Sequence, residues 1–446
     1  MKKVKQITAL LIMLNLISCN KEQFTSEEIP TEPSIIEEKS SVLTHIFRES
    51  GFKLSEEYEI VAKAEPLYDS MTGEFTFLCS TESVMNDENG NEVDGNTYYR
   101  VVTDENGILQ SKEELGFFER SNNLRCASFT SDSTLLCFSA FDTTTYQEAY
   151  SLAAIREGVI TVFDDLSVVL ENPAIDDIAL QEDGSIILLT GGEVVVLNGE
   201  FIRQFSVSTE AESLSVYQEK IYCDGQRLNQ DAQTLEEGTY NTGDHSSFTY
   251  FYGEDYPAYI QTDDGLYGCS TENEPEMVLN FENSDLIAKN VDILKIINAE
   301  TILLSDKGDI GLYKKTEDVD LSDVIVLDLA YTTSSTDLNI RVVEFNSSHS
   351  DIRIITKKYE SSENLLTDML TEIYSPDIIT ASAYDTKEIT EIYSSGLFID
   401  LYPLIDQSSV VDREDIFGCV KRTYETADGK LAAISGIFNV NTILGT

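Results

Sequence analysis

From residue 51 to residue 318 the apolar residues fall in short runs, such as "FTFLCS", "STLLCFSA" and "KIYCDG", broken by polar pieces rich in Gly, Asn and Asp. In Ile175–Val207, "IDDIALQEDGSIILLTGGEVVVLNGEFIRQFSV", the order is strand, Asp-Gly turn, strand, Gly-Gly turn, strand. Such dipeptides supply the positive φ values that tight hairpins need. Related turns recur at "TDENGILQ", "YCDGQRL", "QTDDGLYG" and "LSDKGDIGLY". Their lead residues Asp104, Asp183, Asp224, Asp264 and Asp306 are spaced 79, 41, 40 and 42 apart, and Asp142 in "AFDTTTY" falls near the middle of the first gap. A period of about 40 residues holding three or four strands is the size of one β-propeller blade. The marks predict six blades, or seven if "YDSMTGEF" begins another. The chain has no Trp, so the WD signature of one large propeller class is missing.

After "KKTEDVDLSDV" the pattern changes. "VIVLDLAY" (Val324–Tyr331) is a continuous apolar run, expected of a strand covered on both faces. Leu338, Val342 and Phe345 then follow at helical spacing behind the cap candidates Ser335 and Thr336. "DIRIITKKY" predicts a second strand. "SSENLLTDMLTEIY" predicts a helix with Leu365, Leu366, Met369, Leu370 and Ile373 on its apolar side, and "PDIITA" a third strand. Asp385 and Glu388 open a third helix through Ile389, Ile392 and Tyr393, stopped at Gly396. Strands alternating with helices predict a parallel α/β sheet from about residue 319. "SGLFIDLYPLID" (Ser395–Asp406) is expected to be a strap pinned by Leu397, Phe398, Leu401 and Leu404 and held extended by Pro403.

Composition alters this picture mainly through charge. The 446 residues are 41% hydrophobic and 25% charged, an ordinary globular balance, but 30 Lys+Arg stand against 80 Asp+Glu, a net charge of −50. Such a surface repels phosphate backbones and anionic lipid, so neither nucleic acid nor peripheral membrane docking is expected. At the N-terminus, Lys2, Lys3 and Lys5 precede the apolar "ITALLIMLNLI", which is too short to cross a bilayer. The run ends in "LISC" and resembles the bacterial lipoprotein signal. That resemblance implies cleavage after residue 18, lipidation of Cys19 and an anchor on the extracytoplasmic face of the cell membrane. Residues 19–50, rich in Glu, Ser, Thr and Pro, form the expected acidic flexible linker. The expected order is signal peptide 1–18, linker 19–50, propeller-like domain 51–318 and α/β segment 319–446.

Candidate chemistry is sparse. Cys79, Cys126, Cys137, Cys223, Cys269 and Cys419 include no CxxC pair, so zinc and thioredoxin-like sites are not expected. Most lie in strand-like runs, as buried thiols do, with disulfides open to them in an oxidising compartment. His45, His245 and His349 are far apart. No nucleophile elbow, HExxH or phosphate loop is present. "NDENGNEVDGN" (Asn86–Asn96) departs from the calcium-loop pattern at Glu92, where glycine is needed. No catalytic residue, metal or cofactor is expected.

Within the α/β segment, "VVEFNSSHSDIRIITKKY", "LLTDMLTEIYSPDIITA", "YSSGLFIDLYPLID" and "ETADGKLAAISGIFNVNTILG" occur in that order. Over residues 323–446 they resemble the opening of the carbohydrate-type extracellular solute-binding proteins of ABC importers. The resemblance implies a periplasmic-binding-protein-like lobe, incomplete here because the second lobe would lie beyond Thr446. Sites beyond the carboxyl ends of parallel strands single out "YTTSST" and "ASAYD", hence Tyr331, Thr332, Ser334, Ser382, Tyr384 and Asp385 as ligand-binding candidates. In the family an aromatic and an acidic residue after "PDII" contact the sugar. Tyr384 and Asp385 hold comparable places here, with small Ala381 and Ser382 where an aromatic is common. The expected function is capture of a carbohydrate or similar small solute for an ABC importer permease, without catalysis. The alternative is a surface interaction protein in which the propeller binds a polymer or protein and the α/β segment is vestigial or a docking module.

Overall fold

The computed structural model describes residues 45–433 except 56–58, 62–63, 87–88, 121, 143–146, 165, 171–173, 239, 244–247, 317–323, 333–335, 360, 372, 375, 381–397 and 409–410. The chain divides into two compact units: His45–Ser284 with Ala288–Thr316, and Asp285–Ile287 with the residues from Glu317 onward.

The first unit is a six-bladed β-propeller, each blade an antiparallel sheet. Its first strand, β1 (Ile46–Glu49), belongs to the last blade. Blade 1 holds β2 (Glu59–Ile60), β3 (Leu67–Asp69), β4 (Glu74–Asn86), β5 (Glu92–Thr103) and β6 (Leu109–Glu119). Blade 2 is β7 (Asn123–Phe129), β8 (Ser133–Asp142), β9 (Gln147–Arg156) and β10 (Val159–Phe163); blade 3 is β11 (Asp177–Leu180), β12 (Ile186–Thr190), β13 (Glu193–Leu197) and β14 (Arg203–Ser208). Blade 4 is β15 (Leu214–Tyr217), β16 (Lys220–Cys223), β17 (Gln226–Asn229) and β18 (Thr234–Glu236); blade 5 is β19 (Thr249–Phe251), β20 (Ala258–Gln261), β21 (Gly265–Cys269) and β22 (Glu276–Asn280). Blade 6 takes β23 (Val291–Asn298), β24 (Thr301–Asp306) and β25 (Asp309–Thr316), with β1 paired on β25 from Ile46↔Thr316 to Glu49↔Tyr313. The ring is therefore closed by a strand from within the stretch expected to be linker. β2 and β3 both pair along β4, so blade 1 has its first strand broken in two.

The blades hold together through apolar layers between their faces. Every residue of β12, "IILLT", is buried. Ile186 and Leu188 join Cys126, Leu135 and Leu152 of blade 2, while Ile187 and Leu189 join Ile221 and Leu228 of blade 4. A strand between two neighbours has no solvent face, so alternation of apolar and polar residues gives way to a continuous apolar run. Phe52, Phe75 and Phe77 pack with Leu303 and Leu312, sealing blade 6 to blade 1. Side chains also link the first strands of successive blades: Ser128 Oγ accepts from Leu180 N at 2.9 Å, and Asp177 Oδ2 accepts from Leu214 N at 2.8 Å.

The period of about 40 residues did mark blades. Asp104, Asp142, Asp183, Asp224, Asp264 and Asp306 fall one to a blade, but at unequal hairpins: between β5 and β6 in blade 1, and between β11 and β12 in blade 3. "YDSMTGEF" is the turn from β3 to β4, so it adds no seventh blade.

In the second unit β26 (Ile325–Tyr331) is the centre of a three-stranded parallel sheet, flanked by β27 (Ile352–Lys358) and β28 (Ile378–Thr380). Helix α1 (Thr336–Ser348) connects β26 to β27, and α2 (Ser362–Leu370) lies between β27 and β28. Val342 and Phe345 of α1 and Leu365 and Met369 of α2 are buried as their spacing predicts. Leu370 and Ile373 are exposed instead, because the helix ends at Leu370. Ser361 caps α2, its Oγ accepting from Asn364 N at 3.2 Å. Asn346 gives a physical role to the "FN" pair. Its Nδ2 donates to Ile354 O and its Oδ1 accepts from Ile354 N, both at 2.8 Å, as a neighbouring strand would.

The apolar strap differs from its expectation. Tyr402–Gln407 is a short helix, α3, with Pro403 in its first turn, where a proline's missing N–H costs no bond. Leu401 and Ile405 are buried and Leu404 is exposed. Leu401 N donates to Leu431 O at 2.9 Å, tying α3 to the "DGKL" segment behind a last helix, α4 (Gly418–Tyr424). The expected third helix from Asp385 lies outside the described residues.

Candidate functional site

The candidate site is an open cleft of about 550 Å³ on the propeller, where the chain leaves blade 3 and the central hairpin of blade 4 approaches it. Its lining comes from Ser208, Thr209, Glu210 and Ala211 after β13–β14 and from Cys223, Asp224, Gln226 and Glu237 around β16–β18. The first group is held by Thr209, whose N donates to Gly192 O at 2.9 Å and whose Oγ1 accepts from Ala211 N at 3.0 Å. The second rests on the turn Asp224-Gly225, with φ of 42° and 90°. Those values make a two-residue turn of the kind that suits a twisted hairpin. Asp224 also ties the two halves together, accepting from Glu212 N at 2.5 Å and from the Ser213 hydroxyl.

The cleft is therefore built of acceptors. Glu210 and Glu237 are exposed and Asp224 half-buried. Gln226 Nε2 donates to Glu237 Oε1 at 2.6 Å, joining two of the lining side chains. Beside it, Glu236 is held below the ordinary carboxylate range by hydrogen bonds from Asn229 and Arg227. The Cys223 thiol is pushed up to about 12 by burial, which keeps it protonated and unreactive at neutral pH.

Next to the cleft lies a cluster of tyrosines joining blades 4 and 5. The rings of Tyr222 and Tyr252 stack with centroids 4.1 Å apart, and Tyr217 lies 6.3 Å from Tyr252. Tyr240 donates to the carbonyl of Gly225, and its own hydroxyl is pushed up to about 12 by burial. Burial raises Tyr252 as well. A side chain at Gly225 would strike the Tyr250 ring at 2.6 Å, so glycine is required there by both φ and space.

Of the residues singled out from sequence in the α/β unit, Tyr331 ends β26 with 8% exposure and packs among Val342, Phe345 and Ile354, an interior position rather than an open platform. Its carbonyl accepts from Tyr359 N at 2.8 Å. Thr332 follows at the carboxyl end of the central strand, and among the described residues its buried Oγ1 has no hydrogen-bond partner. Cys19, Ser334, Ser382, Tyr384 and Asp385 lie outside the described residues. The cleft residues are not predicted as a site, since they come from two blades; of them the sequence marks only Cys223, as a buried thiol, and Asp224, as a turn residue. Five of the six later cysteines are buried, and Cys419 is exposed. Among the described residues no group of His, Cys, Asp or Glu is arranged to hold a metal ion, and no helix is long and apolar enough to cross a membrane.

No family profile and no curated protein matches the chain. Solved structures with similarity include the extracellular domain of a hybrid two component system from B. thetaiotaomicron, 14% identical with a TM-score of 0.34 over 62% of this chain. The chain spans 41% of the length of that domain. The β-propeller domain of the Trilobed protease from Pyrococcus furiosus is 9% identical with a TM-score of 0.33, covering 60% of this chain and 85% of that one. The acylaminoacyl peptidase of Pyrococcus horikoshii is 9% identical with a TM-score of 0.33, covering 81% and 77%. At TM-scores this low the likenesses carry no inference about function.

Proposed function

We propose that the protein is a non-catalytic recognition protein of the cell surface whose propeller binds a ligand rich in hydrogen-bond donors at the cleft between blades 3 and 4. The observation that carries this is the lining itself: three carboxylates, from Glu210, Asp224 and Glu237, with hydroxyls and one amide, and no cationic side chain. Carboxylates offer paired acceptors to hydroxyl or amine donors, and the net charge of −50 disfavours polyanions. A neutral or amine-bearing oligosaccharide meets both conditions. Calorimetric titration of the full chain with neutral and amino-sugar oligomers tests it. Glu210→Gln and Glu237→Gln should each weaken binding about tenfold, the loss of one charge-assisted hydrogen bond, with the melting temperature unchanged. Absence of heat with every oligomer, or variants that bind as the unaltered protein does, would refute the reading.

A second reading, solute capture for an ABC importer by the α/β unit, is favoured by one feature. The first strand is central in the parallel sheet, and at its carboxyl end, where such sheets bind ligands, the buried Thr332 hydroxyl has no partner among the described residues. Placement at the membrane rests on the charged and apolar leader and on Cys19. Cys19→Ala is expected to shift the protein from the membrane fraction to the soluble fraction; unchanged membrane association would remove the lipid anchor from the proposal.

A further inference from the structure

Five of the described cysteines are buried in the propeller, and two of them face each other. Cys126 on β7 and Cys137 on β8 are partners in the antiparallel register, at the edge of an irregularity between Leu124 and Cys126. Direct partners of an antiparallel ladder stand about 4.5–5.5 Å apart at Cα and project from the same face. A disulfide spans about 4.4–6.8 Å between Cα atoms. Both side chains are 0% exposed and belong to one apolar layer, between blades 2 and 3, whereas Cys79 and Cys223 belong to other layers.

We infer that Cys126 and Cys137 form a modification site: a cross-strand disulfide within blade 2, made by exchange with an external disulfide. One thiolate attacks a sulfur of the external disulfide and expels a thiolate. The second cysteine, deprotonated, attacks the resulting mixed disulfide and expels the other thiolate. The pair gives up two electrons and two protons, and the external disulfide takes them to become two thiols. Because Ile178, Leu180, Ile186 and Leu188 of blade 3 close over the pair, the bond forms while the chain folds, before that layer is sealed. Once made, it lies where reductants do not reach. The inference is independent of the ligand assigned to the cleft; only the supply of oxidant in the cell depends on export.

The test uses the full chain, refolded once with oxidised and reduced glutathione and once with reductant alone. Each sample is then unfolded in iodoacetamide without further reductant. Cleavage after Arg125 and Arg156 releases one peptide holding both cysteines. The glutathione sample should yield this peptide unalkylated and lighter by two hydrogens, with Cys79, Cys223 and Cys269 alkylated. The reduced sample should yield it alkylated at both positions. Double alkylation in both samples would overturn the inference, as would a bond from either residue to a cysteine outside blade 2.

Discussion

Asp306 illustrates how a turn residue can carry a cost. It opens the hairpin from β24 to β25 through Lys307 and Gly308, both at positive φ. Its Oδ1 is buried without a partner among the described residues, and burial raises its carboxyl above the ordinary 3.8. The folded state therefore favours the protonated form, so the residue's contribution to stability is best below the unfolded value and falls as pH rises through the folded one. Asp306→Asn should melt higher than the unaltered protein at about pH 7, with the gap closing towards about pH 3. Thermal melts across that range check the sign; a constant gap would assign the effect to packing. Three of the propeller thiols are raised out of the neutral range. Burial pushes Cys79 and Cys223 up to about 12 and Cys269 to about 11, so none ionises near neutrality.

At the level of elements, β1 has the most to do for its length. Its four residues supply the outer strand of blade 6. Phe47 is fully buried, and its N–H donates to the hydroxyl of Ser284 at 2.9 Å. Phe47→Ala should cost about 3–5 kcal/mol, measurable by urea unfolding; a loss below about 1 kcal/mol would mean the ring does not depend on this strand. The sequence made the blades countable because Asp-led marks recur about every 40 residues, one of the series to a blade. It did not make them superimposable, since equivalent hairpins turn through different residues. The tight turns at Glu157-Gly158 and Gln218-Glu219 also adopt positive φ without an Asp-Gly pair. β1 was hidden for a related reason: "IFRE" is short and its strand partners lie near residue 316. In the α/β unit the strands were legible as apolar runs, and the "FN" pair gained a role only when Asn346 met Ile354. Pro403 was misplaced because one fixed φ suits both an extended strap and a helix's first turn. The cleft is the least legible part, assembled by ring curvature from residues as distant as Ser208 and Glu237.

For the whole molecule, charge and closure dominate. A net charge of −50 makes the compact state repel itself, and mobile ions screen that repulsion over about 10 Å at 0.1 M salt. Raising sodium chloride from about 20 to about 300 mM should therefore raise the melting temperature by several degrees, the reverse of what breaking ion pairs would produce. Differential scanning at the two concentrations decides between them. Closure sets the timetable of synthesis. Ile46 emerges early but pairs with Thr316, and at about 5–20 residues per second it waits on the order of tens of seconds for that partner. Until then the last interface has no second half, and the nascent chain remains a row of unclosed blades with Phe47 uncovered. Contacts so distant along the chain slow the final step, so the pairing of β1 on β25 is the last event in the folding of this unit.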